Sequence, residues 1–543
     1  MNYLELGDVI RYNQQGPQSA INGALKELDL NGLRNENRTF QAREMPTYQN
    51  DLNTLLASAQ GRGLDSQTNR SSGAYFLNEN VIGGEIVPSV LGRTNQVFMG
   101  NSIFTGVDKL KLGPGIGLVR PPELYGELLA MGMKPALEVN YAAPGGTTRT
   151  RQGIADIVNA SIGQEAKNIS PDGCFVTAGA TEGIQVALQA QKEIDKGRIV
   201  FLGPGYYAGP LAAQRLELPY ERRISSCARK GSGLLPDPTE LGDLPPDTKM
   251  VVVSLPNNPD GSDYDENQLQ SLVRLAQEKN INILFDGIFD DLRYENPSTT
   301  PLLRAAEQQN GLDRIVTVSS LSKATNLAGD RIGWLATSNP IWADKVNEIF
   351  VDRRCNPRLT LEPLFAFEGL ARQVSNSSPA NESEIRKLYK QLKQPNDTMT
   401  DVKFCSMYLK LMQWKAASSQ YYRDNLTIAK DLWTAEGTAD MNISPDLAGF
   451  NTFPRMNVPL GTNTMGYLAE QMVATGLYTQ AGPCFGVSQQ KWDDDLGVRE
   501  RISFASDRED LVNGLIRGSI FNRVVQSKGL STTVQRLNYD QQI

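Results

Sequence analysis

The chain reads as an α/β protein, with a large domain built on a mostly parallel sheet and a smaller α+β domain formed mainly by its C-terminal part. Two observations predict this. From about residue 150, short apolar runs suited to buried strands alternate with helical stretches, the pattern of a parallel sheet covered on both faces. After about residue 340 the pattern turns helical, then closes with one polar–apolar alternation and another helix.

Taken in order, residues 1–105 are polar and irregular, rich in Asn, Gln, Ser and Gly between 35 and 80, with one helix expected near 48–58. They read as an extension wrapping a body. Residues 106–340 form the expected large domain, with buried strands at 174–177, 198–202, 250–255, 281–285 and 315–318. Helices are expected at 181–196 and 266–279. Pro236, Pro238, Pro245 and Pro246 make residues 231–248 a loop. Residues 341–543 form the smaller domain, with a polar interruption at 373–397, a half-exposed strand at 501–506 and a helix at about 507–521.

Composition narrows the function. The 543 residues hold 54 basic and 61 acidic side chains, a net charge of −7, which argues against nucleic acid or an anionic membrane as main partner. No apolar run approaches the ~20 residues that span a bilayer, and the first residues lack a basic and apolar leader pattern. A soluble, cytoplasmic protein is the expectation. Five scattered cysteines without a C-x-x-C pair fit a reducing compartment. There is no histidine at all. That removes Ser-His-Asp, Cys-His and His-metal chemistry together, and no metal site is expected. Proton transfer must use Lys, Tyr, Asp, Glu or a cofactor.

Several short motifs then stand at predicted strand ends. Ser319-Ser320-Leu321-Ser322-Lys323 is followed by Gly329-Asp330-Arg331-Ile332-Gly333-Trp334, which suits hydroxyls and a guanidinium gathered around an anion beside a lysine. Asp286 ends the strand Leu284-Phe285-Asp286-Gly287, at the sheet edge where α/β proteins bind ligands. Leu255-Pro256-Asn257-Asn258-Pro259-Asp260-Gly261 ends another. Thr177-Ala178-Gly179-Ala180-Thr181 opens a helix whose free N–H groups favour a phosphate. Each has a plain structural reading when taken singly: a solvated lysine, a helix cap, a tight turn, a capped helix start. Gly113-Pro114-Gly115-Ile116-Gly117 lacks the spacing of a dinucleotide fingerprint and reads as a loop.

In their order and spacing these residues resemble the class I/II aminotransferases, fold-type I enzymes that use pyridoxal 5′-phosphate. The resemblance covers roughly residues 110–506 and implies a seven-stranded, mostly parallel sheet. It implies that Lys323 forms a Schiff base with the cofactor aldehyde, Asp286 faces the pyridine nitrogen, Asn258 donates to the phenolic oxygen and Tyr206 stacks on the ring. Gly179, Ala180, Thr181, Ser320, Ser322 and Arg331 would cradle the phosphate. Tyr141 would reach the phosphate of a neighbouring subunit, making a homodimer with shared active sites. Arg501 would grip the substrate carboxylate as a two-point fork. One departure stands out: Phe289 occupies a position where the family usually has a tyrosine. Asp260 is a smaller one, where many relatives carry threonine.

The implied reaction is transamination between an L-α-amino acid and a 2-oxo acid, with Lys323 as the base. The same site could serve as a decarboxylase, a β/γ-lyase or a cyclase. A ligand sensor without catalysis is the remaining alternative, and residues 1–105 show no helix-turn-helix or basic helix to support it.

Overall fold

The computed structural model describes residues 3–35, 81–82, 85–86, 110–133, 143–163, 168–228, 233–294, 301–353, 361–394, 397–441 and 449–530. Its centre is a seven-stranded sheet. In chain order the strands are β1 (Cys174–Ala178), β2 (Arg198–Leu202), β3 (Tyr220–Arg223), β4 (Thr248–Ser254), β5 (Asn282–Asp286), β6 (Ile315–Ser320) and β7 (Ile332–Thr337). They lie side by side as β1-β7-β6-β5-β4-β2-β3. The neighbours from β6 across to β3 are parallel; β7 runs antiparallel to both β1 and β6.

Strand residues alternate between two apolar layers, as the pleat requires. Val200, Val251, Val253, Ile283 and Phe285 face one layer, with helices Thr148–Ile162, Glu266–Glu278, Pro301–Gln308 and Glu362–Asn376. Ile199, Phe201, Met250, Val252 and Leu284 face the other, with Ala180–Ile194, Ala208–Arg215 and Pro340–Arg353. Glu266–Glu278 starts cleanly because Asp265 and Gln268 form a reciprocal capping box.

A third apolar cluster joins the long helix Asp401–Ala435 to Thr464–Thr475, Arg508–Lys528 and a small sheet containing Glu500–Ser503. It also takes in Val9, Ile21, Ala24 and Leu28 of an N-terminal helix, Leu6–Asn35. That helix breaks at Gly16, which adopts φ 66° ahead of Pro17. Arg508 donates to the carbonyls of Tyr12 (2.9 Å) and Gly16 (3.3 Å) at the break.

The expected core strands are present, with ends that differ by at most two residues. Four features were not expected. The helix Leu6–Asn35 lies in the segment read as irregular. The helix Glu382–Leu392 occupies the polar interruption, with Ile385 and Tyr389 buried one turn apart. A 3-10 turn, Pro238–Leu241, sits in the proline-rich loop. Strands β3 and β7 were missed. The helix expected at 48–58 lies outside the described residues. Among the described residues no helix is long and apolar enough to cross a membrane.

Candidate active site

Parallel pairing brings several chain turns to one edge of the sheet. Ser254 at the end of β4 stands beside Asp286 at the end of β5, and Asp286 beside Val318 in β6. β6 runs directly into the short helix Leu321–Ala324, which carries Lys323. β1 runs through Gly179 into the helix Ala180–Ile194, whose start has no side-chain cap.

These ends surround a cavity of about 290 Å³. Lys323, Asp286, Asn258, Tyr206, Ala180, Thr181, Ser320, Ser322, Arg331 and Arg501 all line it. Gly179 stands behind Arg331. It adopts φ 80°, and a Cβ there would lie 2.5 Å from an Arg331 guanidinium nitrogen, so only glycine leaves room. Tyr141 lies outside the described residues.

Asp286 and Arg501 are buried, Lys323 is half-buried, and all three are sparsely partnered. Lys323 donates to the Gly115 carbonyl. Burial lowers its pKa to about 8, helped by the positive charges of Arg501 and Arg331 and opposed by Asp286. Burial pushes Asp286 up to about 7, against the pull of an Ile288 N–H (3.2 Å) and the Lys323 charge. Arg501 donates to Asn258 Oδ1 (2.9 Å) and the Gly113 carbonyl (2.7 Å), and lies 5.0 Å from the centre of the Phe485 ring. Its Nε has no partner, and burial lowers its pKa to about 10. The groups that draw it back up are Tyr478 and Cys484 rather than a carboxylate. A buried guanidinium furnished only with neutral acceptors is suited to an incoming carboxylate.

The residues fit pyridoxal phosphate, group for group. A ring cation would find the buried carboxyl of Asp286. A phosphate would find Arg331, Ser320, Ser322 and the uncapped N–H groups at Ala180 and Thr181. An aldehyde would find an amine, Lys323, that releases its proton near neutral pH. Tyr206 borders the same space, with its hydroxyl 3.3 Å from Thr181 Oγ1 and its ring edge-on to Tyr207. Phe289 also lines the cavity, edge-on to Phe450 at 5.6 Å.

Sequence reasoning missed the Gly113–Gly117 run. It is a loop, as expected, yet its carbonyls hold both Lys323 and Arg501. A Cβ on Gly115 would sit 3.1 Å from the Arg501 guanidinium. The glycine spacing was the available signal. Cys484 and Phe485, also at the cavity wall, carried none.

The family model for "Aminotransferase class I and II" matches residues 137–510. Aspartate aminotransferase of Thermotoga maritima is 33% identical over 211 residues, 38% of this chain and 52% of that protein. Capreomycidine synthase of Streptomyces vinaceus is 36% identical over 137 residues, 25% of this chain and 32% of that protein. The chain spans about half the length of the curated relatives it matches. A solved structure of a single mutant of Thermus thermophilus aspartate aminotransferase superposes with a TM-score of 0.61, covering 85% of this chain and 100% of that one at 20% identity. The family-model match covers most of the sequence, and the fold agrees with it: the chain belongs to the class I and II aminotransferase family.

Proposed function

We propose that the protein is a pyridoxal-phosphate-dependent aminotransferase that moves an amino group from an L-α-amino acid to a 2-oxo acid. The observation that carries this is one cavity holding a half-buried lysine, a buried aspartate and a buried arginine with no carboxylate partner. When bound, pyridoxal phosphate supplies a ring that accepts electrons from a bond at the substrate Cα. The chain's own residues do the rest. Lys323 holds the cofactor covalently and, once free as an amine, moves the proton at the substrate Cα. Asp286 keeps the ring nitrogen protonated. Arg501 fixes the substrate α-carboxylate and so sets which Cα bond stands perpendicular to the ring. Asn258, already bonded to Arg501, faces the phenolic oxygen, and Tyr206 covers the ring. Gly179, Ala180, Thr181, Ser320, Ser322 and Arg331 form the phosphate seat.

In this reading residues 106–340 supply most of the cofactor site and residues 341–543 supply Arg501. Tyr141 serves a neighbouring copy, so the working unit is a homodimer. The free thiols of Cys174, Cys227, Cys405 and Cys484 fit a reducing compartment such as the cytoplasm. A second reading, turnover of an amino acid with no acceptor, is favoured by the similarity to a protein named as a synthase and by Phe289.

The test is spectroscopic. Amino acids are added singly to the cofactor-loaded protein without a 2-oxo acid. Stoichiometric conversion of the cofactor to its amine form supports transamination; sustained product formation supports the second reading. A colourless protein after cofactor loading, with no borohydride label at Lys323, overturns both.

A further inference from the structure

A second cavity, of about 500 Å³, lies behind the catalytic one and shares none of its lining residues. It opens between the helices Glu362–Asn376 and Asp401–Ala435 and the turn Asp290–Leu292. Its volume falls in the range of small-molecule sites.

Its polar groups are incompletely matched. Ser418 is 2% exposed and Arg372 9%, yet Ser418 Oγ and Arg372 Nε have no hydrogen-bond partner. Leaving such a group buried and unmade costs about 1–3 kcal/mol, a penalty an occupant would relieve. The remaining two nitrogens of the Arg372 guanidinium are used, on Asp291 and on Ser161 Oγ (3.1 Å).

The wall also has two charge poles. Glu368 is 1% exposed and its hydrogen bond comes from the neutral hydroxyl of Tyr125 rather than from a cation. On the facing helix, Lys415 and Arg423 have no carboxylate partner among the described residues; Arg423 is bonded to the neutral Gln420 and lies over the Tyr294 ring. The other lining charges are compensated: Arg293 by Asp263 and Asp290, and Asp291 by Arg372. Trp414, Tyr422 and Met412 also line the wall.

We propose that this cavity is a second binding site, for an α-amino acid zwitterion with an aromatic side chain. Its ammonium group meets Glu368, its carboxylate meets Lys415 and Arg423, and its ring packs on Trp414 and Tyr422. A simple anion would leave the buried Glu368 unmatched. The occupant would act as an effector, because the site shares backbone with the catalytic one. Ala324 follows Lys323 directly, Asp291 follows Phe289 within the same turn, and Tyr422 accepts a hydrogen bond from Asn326 (3.1 Å) on the lysine segment.

The probe is L-phenylalanine, titrated calorimetrically into the full chain after cofactor loading and borohydride treatment, which prevents amine exchange at Lys323. Saturable binding is expected, retained in Arg501→Ala, weakened at least about tenfold in Lys415→Glu and abolished in Ser418→Phe with turnover of the untreated enzyme unchanged. If Ser418→Phe does not fold, Lys415→Glu decides. Absence of saturable heat in the wild type overturns the proposal. So does binding that Arg501→Ala abolishes and the two cavity variants leave intact, since the probe would then occupy the catalytic cavity only.

Discussion

Arg501 and Arg508 stand on either side of one strand-to-helix connection, both nearly inaccessible to solvent, and their surroundings differ in kind. Arg508 is matched by a carboxylate of the chain, although its Nη2 makes no hydrogen bond. It donates to Asn425 (3.0 Å) and to the two carbonyls at the Gly16 break, faces Asp424 at 3.6 Å and lies between the rings of Tyr12 and Tyr421. Arg501 has two neutral acceptors, one aromatic face and an idle Nε. Burial is costly for a guanidinium, and at Arg508 the fold supplies a counter-charge that it does not supply at Arg501. Under the proposed function, the contrast distinguishes an arginine that holds the structure together from one held ready for substrate.

The largest expected effect is at the amine. Lys323→Ala should lower turnover by at least about 10³-fold and remove the cofactor's imine absorption, read by steady-state assay and visible spectrum. A variant that keeps the band would break the assignment. Next comes the arginine pair. Arg501→Ala should cut kcat/KM for the amino acid by roughly 10²–10³-fold without loss of stability, consistent with losing a two-point contact. Arg508→Ala should do the reverse, costing about 3 kcal/mol in denaturant unfolding while the folded fraction keeps its kcat/KM, because the buried Asp424 would keep its bond from Gln420 but lose its cationic partner. Similar profiles for the two would dissolve the contrast.

A pH experiment sharpens it further. Lys323 releases its proton at about 8 in the folded protein, against an ordinary 10.5. Between those values the unfolded chain binds a proton that the folded chain does not, so cofactor-free protein should gain stability as pH rises through the window. Below about 8 the buried ammonium is a standing cost. Lys323→Met should flatten the rise and stabilise the cofactor-free protein at pH 7, by up to about 3 kcal/mol, as measured by urea unfolding across pH. The smallest effect concerns Phe289. A tyrosine there would bring a hydroxyl toward the phenolic oxygen, and Phe289→Tyr should lower the midpoint of the cofactor-band titration by about one pH unit. An unmoved midpoint would show that the position does not face that oxygen.

How much could be read in advance depends on how each element signals itself. The parallel core was legible because a strand buried on both faces must be continuously apolar, as in Met250–Val253 and Ile283–Phe285. β3 was hidden because Tyr220–Arg223 is a half-buried edge strand made of polar residues. The Glu382–Leu392 helix was hidden because only Ile385 and Tyr389 point inward. Gly16 and Pro17 masked the N-terminal helix, whose continuity is restored by Arg508 from far along the chain. In the site, Lys323, Asp286, Asn258 and Arg331 were readable because strand ends place side chains at the sheet edge. The Gly113 and Gly115 acceptors were not, since a carbonyl carries no trace of itself in residue type.

That glycine ribbon ties distant parts of the chain to the chemistry. Just beyond it, Leu4 pairs with Val119, with bonds of 2.9 Å and 2.8 Å to its neighbours Leu118 and Arg120. Gly117 lies so close to Asn326 that a methyl group could not fit between them, and Asn326 in turn clasps the Val119 carbonyl at 2.8 Å. Displacing Leu4 from Val119 would therefore slacken the same thread that tethers Lys323 and Arg501.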